Sequence, residues 1–295
     1  MQNERWLITG AAGQLGGHLI RRLSAAVPAA DLMGLIRSGS AIPPGCTPCR
    51  ADLSDFELLR RIIRDFRPVH VIHAAALTVV ADCYRDPEAA LRLNASATGV
   101  LAEVTAAVGG RFLFASTDMV FDGARAPYGE TDEACPPSVY GRSKLAGELE
   151  THRYERTLVV RIPLLYGRPA VPRATTFSRQ IAALRAGEAL KLFTDEFRTP
   201  AWLGDVARAL IGLARNDYEG LIHLAGPERM SRYAMAASFA RFSGVENPCL
   251  TPISRLEFEA PEPRPADLSL RCNVLRREFP DLAPGPMRAE AFEDV

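Results

Sequence analysis

The feature that most constrains the fold of this 295-residue chain is a glycine-rich turn near its start. Residues 6–8 are apolar and predict a strand, and residues 14–24 carry apolar side chains at helical spacing. Gly10 and Gly13 stand between these two segments, and Gly16 lies in the first turn of the second. Glycines at such a junction let the backbone turn tightly and approach a diphosphate, which the helix N-terminus attracts with its unpaired N–H groups. The turn therefore predicts a parallel α/β sheet that binds a dinucleotide.

The predicted cofactor contacts begin in this turn. The glycine spacing is GxxGxxG, whereas the simplest dinucleotide fingerprint is GxGxxG, so the prediction depends on the strand-to-helix position of the turn. We expect the cofactor to contact Gly10, Gly13, Gln14, Leu15 and Gly16.

Short apolar runs alternate with helical patterns over the first 165 residues, which favours a parallel sheet with helices on both faces. The strands are continuous apolar runs, as is typical of strands covered on both faces. The fold class predicted is α/β, with a Rossmann-type doubly wound parallel sheet. Strands are expected at 31–36, 69–72, 112–114 and 158–160, and helices at 55–66, 87–108 and 139–154.

The alternation ends near residue 166, where prolines interrupt the chain. A helix at 203–214 and a strand at 221–224 return to the earlier pattern, whereas the last 70 or so residues are proline-rich and are expected to be irregular. We predict a smaller, interleaved C-terminal substrate lobe. The cofactor domain would comprise residues 1–165 plus about 203–225, and the substrate-binding lobe residues 166–202 plus 226–295.

Composition limits the partners of the chain. Lys plus Arg number 35 and so do Asp plus Glu, so there is no basic excess of the kind that nucleic-acid binding requires. The apolar stretch at 69–81 is too short to span a bilayer. The N-terminus lacks the pattern of a secretory signal. We therefore expect a cytoplasmic protein that binds neither nucleic acid nor membrane.

Cys46 and Cys49 have the spacing of a CxxC motif. A zinc site would need two further ligands nearby, and no second close Cys or His pair follows. A redox pair would open a helix, but the prolines before Cys46 favour a loop or short strand. We expect ordinary free thiols and no metal site.

The end of the second predicted strand indicates which dinucleotide is bound. An acidic residue would contact the ribose hydroxyls of NAD here, but this chain has Arg37 followed by Ser38. A cation and a hydroxyl suit the 2′-phosphate of NADP, which favours NADPH and leaves NADH as the alternative. A solvated surface arginine is the plainer interpretation. Asp52 and Leu53, after the third strand, are expected to flank the adenine.

A candidate catalytic group lies further along the chain. Tyr140 and Lys144 are four residues apart on a predicted helix, which places both on one face. The ammonium group is expected to lower the pKa of the tyrosine toward working pH. Ser116 and Thr117 follow the strand at 112–114 and therefore lie at the carboxyl edge of the sheet, where α/β folds bind ligands.

Together these motifs resemble the extended short-chain dehydrogenase/reductase superfamily, and more narrowly its dTDP-4-dehydrorhamnose reductase branch. The segments that carry the resemblance are 9–17, 74–76, 116–123, 140–148, 161–163 and 264–270. The resemblance thus runs along nearly the whole chain.

The resemblance implies roles for several residues. Thr117 would be the hydroxyl of a catalytic triad, Tyr140 the proton donor, and Lys144 its partner, which also holds the nicotinamide ribose. Asn94 matches an asparagine on the helix behind the site, with simple helix packing as the alternative. The remaining implied cofactor contacts are Ala74, Ala75, Ala76 and Pro163.

The resemblance also implies an activity: NADPH-dependent reduction of a nucleotide-linked 4-keto-6-deoxy sugar. Met119 stands where reductases of this branch usually have tyrosine, which leaves the sugar open, and where dehydratases have glutamate, which disfavours dehydration. Two alternatives stay open: an NAD-dependent nucleotide-sugar epimerase, and a non-catalytic NADP-binding regulatory subunit like that of methionine adenosyltransferase.

The expected partner is a small nucleotide-sugar substrate. Arg198 and Arg264 are candidates to bind its diphosphate, with ordinary salt bridges as the alternative. Because the family often forms dimers, a homodimer is expected.

Overall fold

The computed structural model describes residues 4–37, 39–41 and 44–293, and its centre is a seven-stranded parallel sheet. The strands of this described part are β1 (Trp6–Thr9), β2 (Leu32–Ile36), β3 (Thr47–Arg50), β4 (His70–His73), β5 (Arg111–Thr117), β6 (Thr157–Ile162), β7 (Leu165–Tyr166), β8 (Leu190–Phe193), β9 (Phe197–Arg198), β10 (Ala201–Trp202), β11 (Gly220–His223), β12 (Met230–Ser231) and β13 (Leu250–Ile253). The α-helices are α1 (Gln14–Ser24), α2 (Phe56–Phe66), α3 (Val80–Arg85), α4 (Pro87–Leu91), α5 (Ala97–Ala107), α6 (Val139–Thr151), α7 (Thr176–Arg185), α8 (Leu203–Ala214), α9 (Arg232–Phe242) and α10 (Asn273–Glu278).

The order of strands in the sheet is β3-β2-β1-β4-β5-β6-β11, and every neighbouring pair is parallel. The chain moves outward from β1 to β3 and then crosses back to β4. This reversal leaves a crevice at the carboxyl ends of β1 and β4, where doubly wound folds bind ligands. The predicted α/β class and Rossmann-type parallel sheet are confirmed.

Both faces of the sheet are buried, which explains why its strands are continuous apolar runs. Ile8 of β1 packs in one core with Leu19 of α1 and Leu210 of α8. Leu7, the residue before Ile8, points to the opposite face and packs with Leu59 of α2. Full burial of each such side chain contributes about 1.5–3 kcal/mol.

The helix predicted at 87–108 is interrupted. Its N-terminus is at α4, where the Asp86 carboxylate accepts a hydrogen bond from Ala89 N at 3.0 Å. A π turn at Arg92–Ser96 then separates α4 from α5. Periodicity alone does not reveal a π turn, because it inserts one residue into an otherwise regular helix.

The C-terminal part has more regular structure than expected. The prediction of an irregular final 70 residues is wrong, because α9, β12, β13 and α10 form there. A third apolar core joins α7 and α9 to the chain end, with buried Tyr166, Phe177, Ile181, Leu184, Met235, Phe239, Ala240, Ala291 and Phe292. Meanwhile α8 packs on the first core and β11 pairs with β6. The division into two domains stays a prediction.

The CxxC cysteines lie on opposite sides of the sheet edge. Cys46 contacts the core that contains Ile8, whereas Cys49 contacts the core that contains Leu7. Neither cysteine forms a disulfide among the described residues. Among the described residues, no helix is long and apolar enough to cross a bilayer.

Candidate active site

A cleft of about 1290 Å³ opens at the carboxyl edge of the sheet. Apart from Asn94, and from Ser38, which the structure does not describe, the site residues predicted from the sequence lie on its wall. These are Gly10, Gly13, Gln14, Leu15, Gly16, Arg37, Asp52, Leu53, Ala74, Ala75, Ala76, Thr117, Tyr140, Lys144, Pro163, Arg198 and Arg264.

The glycine turn is closely packed against itself and against the segment after β4. Gly10 has φ +67°, and a Cβ there would lie 2.9 Å from the Ala75 backbone. A Cβ on Gly16 would collide with the Gly10 carbonyl oxygen. Helix α1 begins after Gly13 with no side-chain cap and no acidic residue in its first turn. Its N–H groups therefore face the cleft with a positive dipole end, which suits a diphosphate.

The end of β2 and the end of β3 form the outer end of the cleft. Arg37 is exposed there. The pKa of the neighbouring Asp52 is lowered mainly by the Ser54 backbone N–H, which donates to Asp52 Oδ1 at 2.8 Å. The positive charge of Arg37 lowers it further. Ser38, which the sequence paired with Arg37, lies outside the described residues.

The three candidate catalytic residues meet at the inner end of the cleft. Thr117 ends β5, where its hydroxyl accepts a hydrogen bond from Met119 N at 3.2 Å. Tyr140 and Lys144 lie one turn apart on α6, whose N-terminus is capped by Ser138 through Gly141 N at 3.1 Å. All three side chains are buried, at 7%, 9% and 2% exposure.

The prediction for the pKa of Tyr140 is wrong in direction. Burial raises that pKa above its ordinary value, and the Asp118 carboxyl adds to the rise. A hydrogen bond with Thr117 opposes the rise but is outweighed. Lys144 is not among the groups that lower this pKa; its Nζ donates to Ala115 O at 2.8 Å. Tyr140 therefore holds its proton at neutral pH.

Lys144 lies in an unusual environment for an ammonium group. Burial lowers its pKa to about 7, and Glu148, one turn further along α6, opposes this shift. The Nζ atom also lies 3.9 Å from the centre of the Phe114 ring. Glu148 itself is buried and paired with Arg161, at 2.7 Å between Oε2 and Nη2. This ion pair fixes the position of the Glu148 carboxylate near the lysine.

Asn94 connects the π turn to the catalytic helix. Its side chain accepts from Leu77 N at 2.8 Å and donates to Leu77 O at 3.0 Å and to Ser143 Oγ at 2.9 Å. Ser143 in turn donates to Tyr140 O at 2.8 Å. Asn94 thus fixes the segment after Ala76 relative to the helix that carries Tyr140.

A second buried chain of hydrogen bonds joins the glycine turn to the same π turn. Thr9 Oγ1 accepts from Ala75 N at 3.1 Å and bonds His73 Nδ1 at 2.7 Å. His73 Nε2 bonds Thr98 Oγ1 at 3.1 Å, and Thr98 donates to Asn94 O at 2.8 Å. Burial lowers the pKa of His73 to about 3, so this imidazole stays neutral and structural.

The far wall of the cleft is a cluster of paired charges. Arg198 Nε lies 3.5 Å from Asp118 Oδ2, and its Nη2 lies 3.5 Å from Glu196 Oε1. Arg264 donates to Glu196 Oε2 at 2.6 Å and is flanked by the rings of Phe193 and Phe258. Both predicted arginines thus line the cleft, and both have carboxylate partners. Burial raises the pKa of Asp118 to about 6, although Arg198 opposes this.

Two members of this charged cluster, Glu196 and Arg232, were not expected from the sequence. Arg232 begins α9 directly after the capping residue Ser231, and it lies 3.8 Å from Glu196. A cation at a helix N-terminus is opposed by the helix dipole. No signal in the sequence pointed to Arg232, because the helix α9 that it begins was not predicted.

No cluster of three potential metal ligands occurs among residues 4–37, 39–41 and 44–293.

Comparison with known proteins shows the family. Residues 4–286 match the RmlD substrate binding domain. The chain belongs to this family. An RmlD-type chain named dTDP-4-dehydrorhamnose reductase, from Burkholderia thailandensis, is 32% identical over 292 residues, which cover 92% of each protein.

Two further proteins are similar to this RmlD-family chain: one is named as an enzyme subunit and the other as a reductase. Methionine adenosyltransferase 2 subunit beta of Danio rerio is 31% identical and covers 92% of this chain and 84% of that protein. The crystal structure of a hypothetical dTDP-4-dehydrorhamnose reductase from Sulfolobus tokodaii has a TM-score of 0.84 and 28% identity, and covers 97% of this chain and 98% of that one. The extended short-chain dehydrogenase/reductase architecture inferred from the sequence is therefore confirmed.

Met119 contributes an apolar surface at the centre of this RmlD-family site. Its side chain lines the cleft and packs with Cys83, Ala90 and Tyr140. A thioether stands where reductases of this branch usually have a tyrosine, so the Met119 side chain has no hydroxyl to offer a sugar.

Proposed function

We propose that this RmlD-family protein is an NADPH-dependent reductase of a nucleotide-linked 4-keto-6-deoxy sugar. The observation that carries the proposal is the placement of Thr117, Tyr140 and Lys144 together in a cleft that begins at the glycine turn. The relative named dTDP-4-dehydrorhamnose reductase, at 32% identity over nearly the whole chain, supports the same activity.

The residues of the cleft fit a dinucleotide. Gly10 and Gly16 leave no room for side chains, so the turn presents only backbone to its ligand. The uncapped N-terminus of α1 suits a diphosphate, and the exposed Arg37 at the end of β2 suits a 2′-phosphate. Asp52, Leu53, Ala74, Ala75, Ala76 and Pro163 would form the walls along which the cofactor lies.

Bound NADPH would supply a hydride to the keto carbon of the substrate. Tyr140, which burial keeps protonated, would donate its proton to the oxygen that gains negative charge. Thr117 would hold that oxygen by a hydrogen bond. The ammonium group of Lys144, one turn from Tyr140, would stabilise the resulting phenolate and contact the nicotinamide ribose.

The charged wall would bind the diphosphate of the substrate. Three guanidinium groups, of Arg198, Arg232 and Arg264, face two carboxylates, of Asp118 and Glu196. Three positive charges against two negative ones leave a net charge of +1. An incoming diphosphate would therefore find donors that are already positioned by their carboxylate partners.

Arg37 favours the reductase over an NAD-dependent epimerase. It is exposed at the end of β2, where it suits the 2′-phosphate that NADPH carries and NAD lacks.

A non-catalytic regulatory subunit is the second candidate. The 31% identity to methionine adenosyltransferase 2 subunit beta favours it. In that case the cleft would bind a dinucleotide without turnover, and the protein would associate with a separate catalytic chain.

The deciding experiment incubates the purified protein with NADPH and a panel of nucleotide-linked 4-keto-6-deoxy sugars. We expect NADPH to be consumed only when a keto sugar is present, with a 4-hydroxy sugar as the product. Absence of turnover with every sugar, together with retained NADPH binding, would support the regulatory alternative instead.

The proposal also covers the division into domains, the cellular location and the oligomeric state. We propose a cofactor domain of residues 1–165 plus about 203–225 and a substrate lobe of residues 166–202 plus 226–295, supported by the separate apolar core around Tyr166. A cytoplasmic location and a homodimer stay predictions. Equilibrium sedimentation tests the homodimer.

A further inference from the structure

The segment between β7 and α7 lies across the first turns of α1. His18 Nε2 bonds Arg168 O at 2.8 Å, while Arg21 contacts the other ring nitrogen of His18 at 3.1 Å. A Cβ on Gly17 would lie 3.4 Å from the side chains of Ala170 and Val171, which is ordinary contact. The segment is therefore seated closely on the helix that begins at the glycine turn.

The far end of the segment is also fixed. Thr175 caps α7, and it exchanges hydrogen bonds with Ser178 in both directions, at 2.9 Å and 2.7 Å. Val171 is buried at 7% exposure. Arg173 lies between these two attachments, on the wall of the cleft.

The guanidinium group of Arg173 faces the glycine turn itself. Its Nη1 donates to Ala12 O at 3.0 Å. A Cβ on Gly13 would lie 3.9 Å from the same nitrogen. The middle glycine of such a turn is the one whose missing side chain admits a pyrophosphate. Arg173 therefore faces the space that this glycine leaves for a diphosphate.

The local charges make this placement unfavourable unless an anion is bound. The N-terminus of α1 carries a positive dipole end, and its first turn has no acidic residue. In the described parts of the chain, no carboxylate lies within ion-pair distance of Arg173, and its recorded partner is the neutral carbonyl of Ala12. A cation and a positive helix end thus lie side by side. A diphosphate between them would neutralise both.

We propose that Arg173 is a clamp on the cofactor diphosphate, supplied by the segment between β7 and α7. The inference rests on the dinucleotide site of the proposed function. The arginine would exchange its bond to Ala12 O for charge-assisted hydrogen bonds to the diphosphate oxygens. The substrate-lobe side of the chain would in this way contribute directly to cofactor binding.

The clamp differs from the role proposed for Arg37. Arg37 lies at the end of β2 and would contact the 2′-phosphate, which only NADPH carries. Arg173 would contact the diphosphate, which NADPH and NADH share. The two arginines should therefore affect cofactor binding in different patterns.

The test measures dissociation constants of NADPH, NADH and 2′-AMP by titration calorimetry. We expect Arg173→Ala to weaken NADPH and NADH by the same factor, about 10- to 100-fold, since a hydrogen bond to a charged group contributes that much. Binding of 2′-AMP, which lacks the diphosphate, should not change. Arg37→Asp should instead weaken NADPH and 2′-AMP far more than NADH. Arg173→Lys, a point charge, should retain part of the affinity.

Arg179→Ala is the matched control, because Arg179 is an exposed arginine on α7 away from the cleft. Its affinities should equal those of the wild type. Since Arg173 is exposed, the unfolding midpoint of Arg173→Ala should also be unchanged, which checks that folding is intact.

Two results would overturn the clamp: wild-type affinity of Arg173→Ala for both dinucleotides, or a loss confined to NADPH. A wild-type protein that binds neither dinucleotide would overturn both the clamp and the proposed function. If the wild type binds both dinucleotides and Arg173→Ala weakens them equally, but no sugar is reduced, the clamp stands and the reductase proposal fails.

Discussion

The two halves of the cleft are built in different ways. The cofactor half is mostly backbone: Gly10, Gly13 and Gly16 lie within seven consecutive residues and leave space rather than fill it. The substrate half is a network of side-chain charges that come from distant positions in the chain, Asp118, Glu196, Arg198, Arg232 and Arg264.

This difference shows what each half depends on. A site made of backbone depends on sterics, so the addition of a single methyl group damages it. A site made of paired charges depends on balance, so the removal of one charge leaves its partner uncompensated. The following predictions test this contrast, from the largest expected effect to the smallest.

Tyr140→Phe, at the junction of the two halves, should lower turnover by about 10²- to 10⁴-fold, because it removes the proton donor. NADPH affinity should be nearly unchanged, as the cofactor half is not altered. Steady-state kinetics and a binding titration measure the two effects. Tyr154→Phe, a partly buried tyrosine that packs outside the cleft, is the control and should be fully active. Retention of most of the turnover by Tyr140→Phe would refute the assignment of the donor.

Gly16→Ala should destabilise the fold by about 1–3 kcal/mol and severely weaken NADPH binding, because the new methyl group collides with the Gly10 carbonyl. Gly17→Ala is a matched control on the next residue, where a Cβ meets its neighbours at 3.4 Å. Urea unfolding and cofactor titration compare the two variants. Equal behaviour of the two would mean that the turn is not sterically limited.

Asp118→Asn should change the pH dependence of stability. The pKa of Asp118 is raised to about 6 in the fold, so the folded protein binds this proton more tightly than the unfolded chain between about pH 4 and 6. The stabilisation is present below that range and is lost as pH rises through 6. The difference in the free energy of unfolding between Asp118→Asn and the wild type should therefore change by about 1–3 kcal/mol in favour of the variant from pH 4 to pH 7. One pKa unit corresponds to about 1.4 kcal/mol. Urea unfolding at both pH values measures the gain, and a constant difference would contradict it.

Arg264→Ala should raise the KM for the nucleotide sugar by about tenfold, because one donor to the diphosphate is lost and Glu196 is left less compensated. The NADPH dissociation constant should not change. Arg229→Ala is the control, because Arg229 is a half-exposed arginine with its own ion pair to Asp267 and lies outside the cleft. A shift in NADPH affinity would show that the two halves are not separable.

The contrast between the two halves of the cleft also explains which features could be predicted from the sequence. The glycine turn, the Tyr140–Lys144 spacing and the segment of Ala74 to Ala76 are local patterns, and the structure places all of them on one cleft. Alternating apolar runs predicted the parallel sheet, because a strand buried on both faces has to be apolar throughout.

The features that were missed depend on tertiary contacts. The π turn that carries Asn94 is invisible to periodicity, since its neighbours keep a helical pattern. The direction of the Tyr140 pKa shift follows from burial, which residue spacing does not report. Glu196 and Arg173 become informative only when distant segments of the chain meet.

The most direct test of the proposed reaction follows the hydrogen that NADPH would transfer to the sugar. The protein is incubated with NADPH carrying deuterium at the transferable position and with a nucleotide-linked 4-keto-6-deoxy sugar, and the product is examined by NMR. We predict one deuterium at C4 of the sugar for the wild type and none formed by Tyr140→Phe over the same time. A wild-type product without deuterium at C4, or NADPH that stays unconsumed with every sugar, would contradict the account.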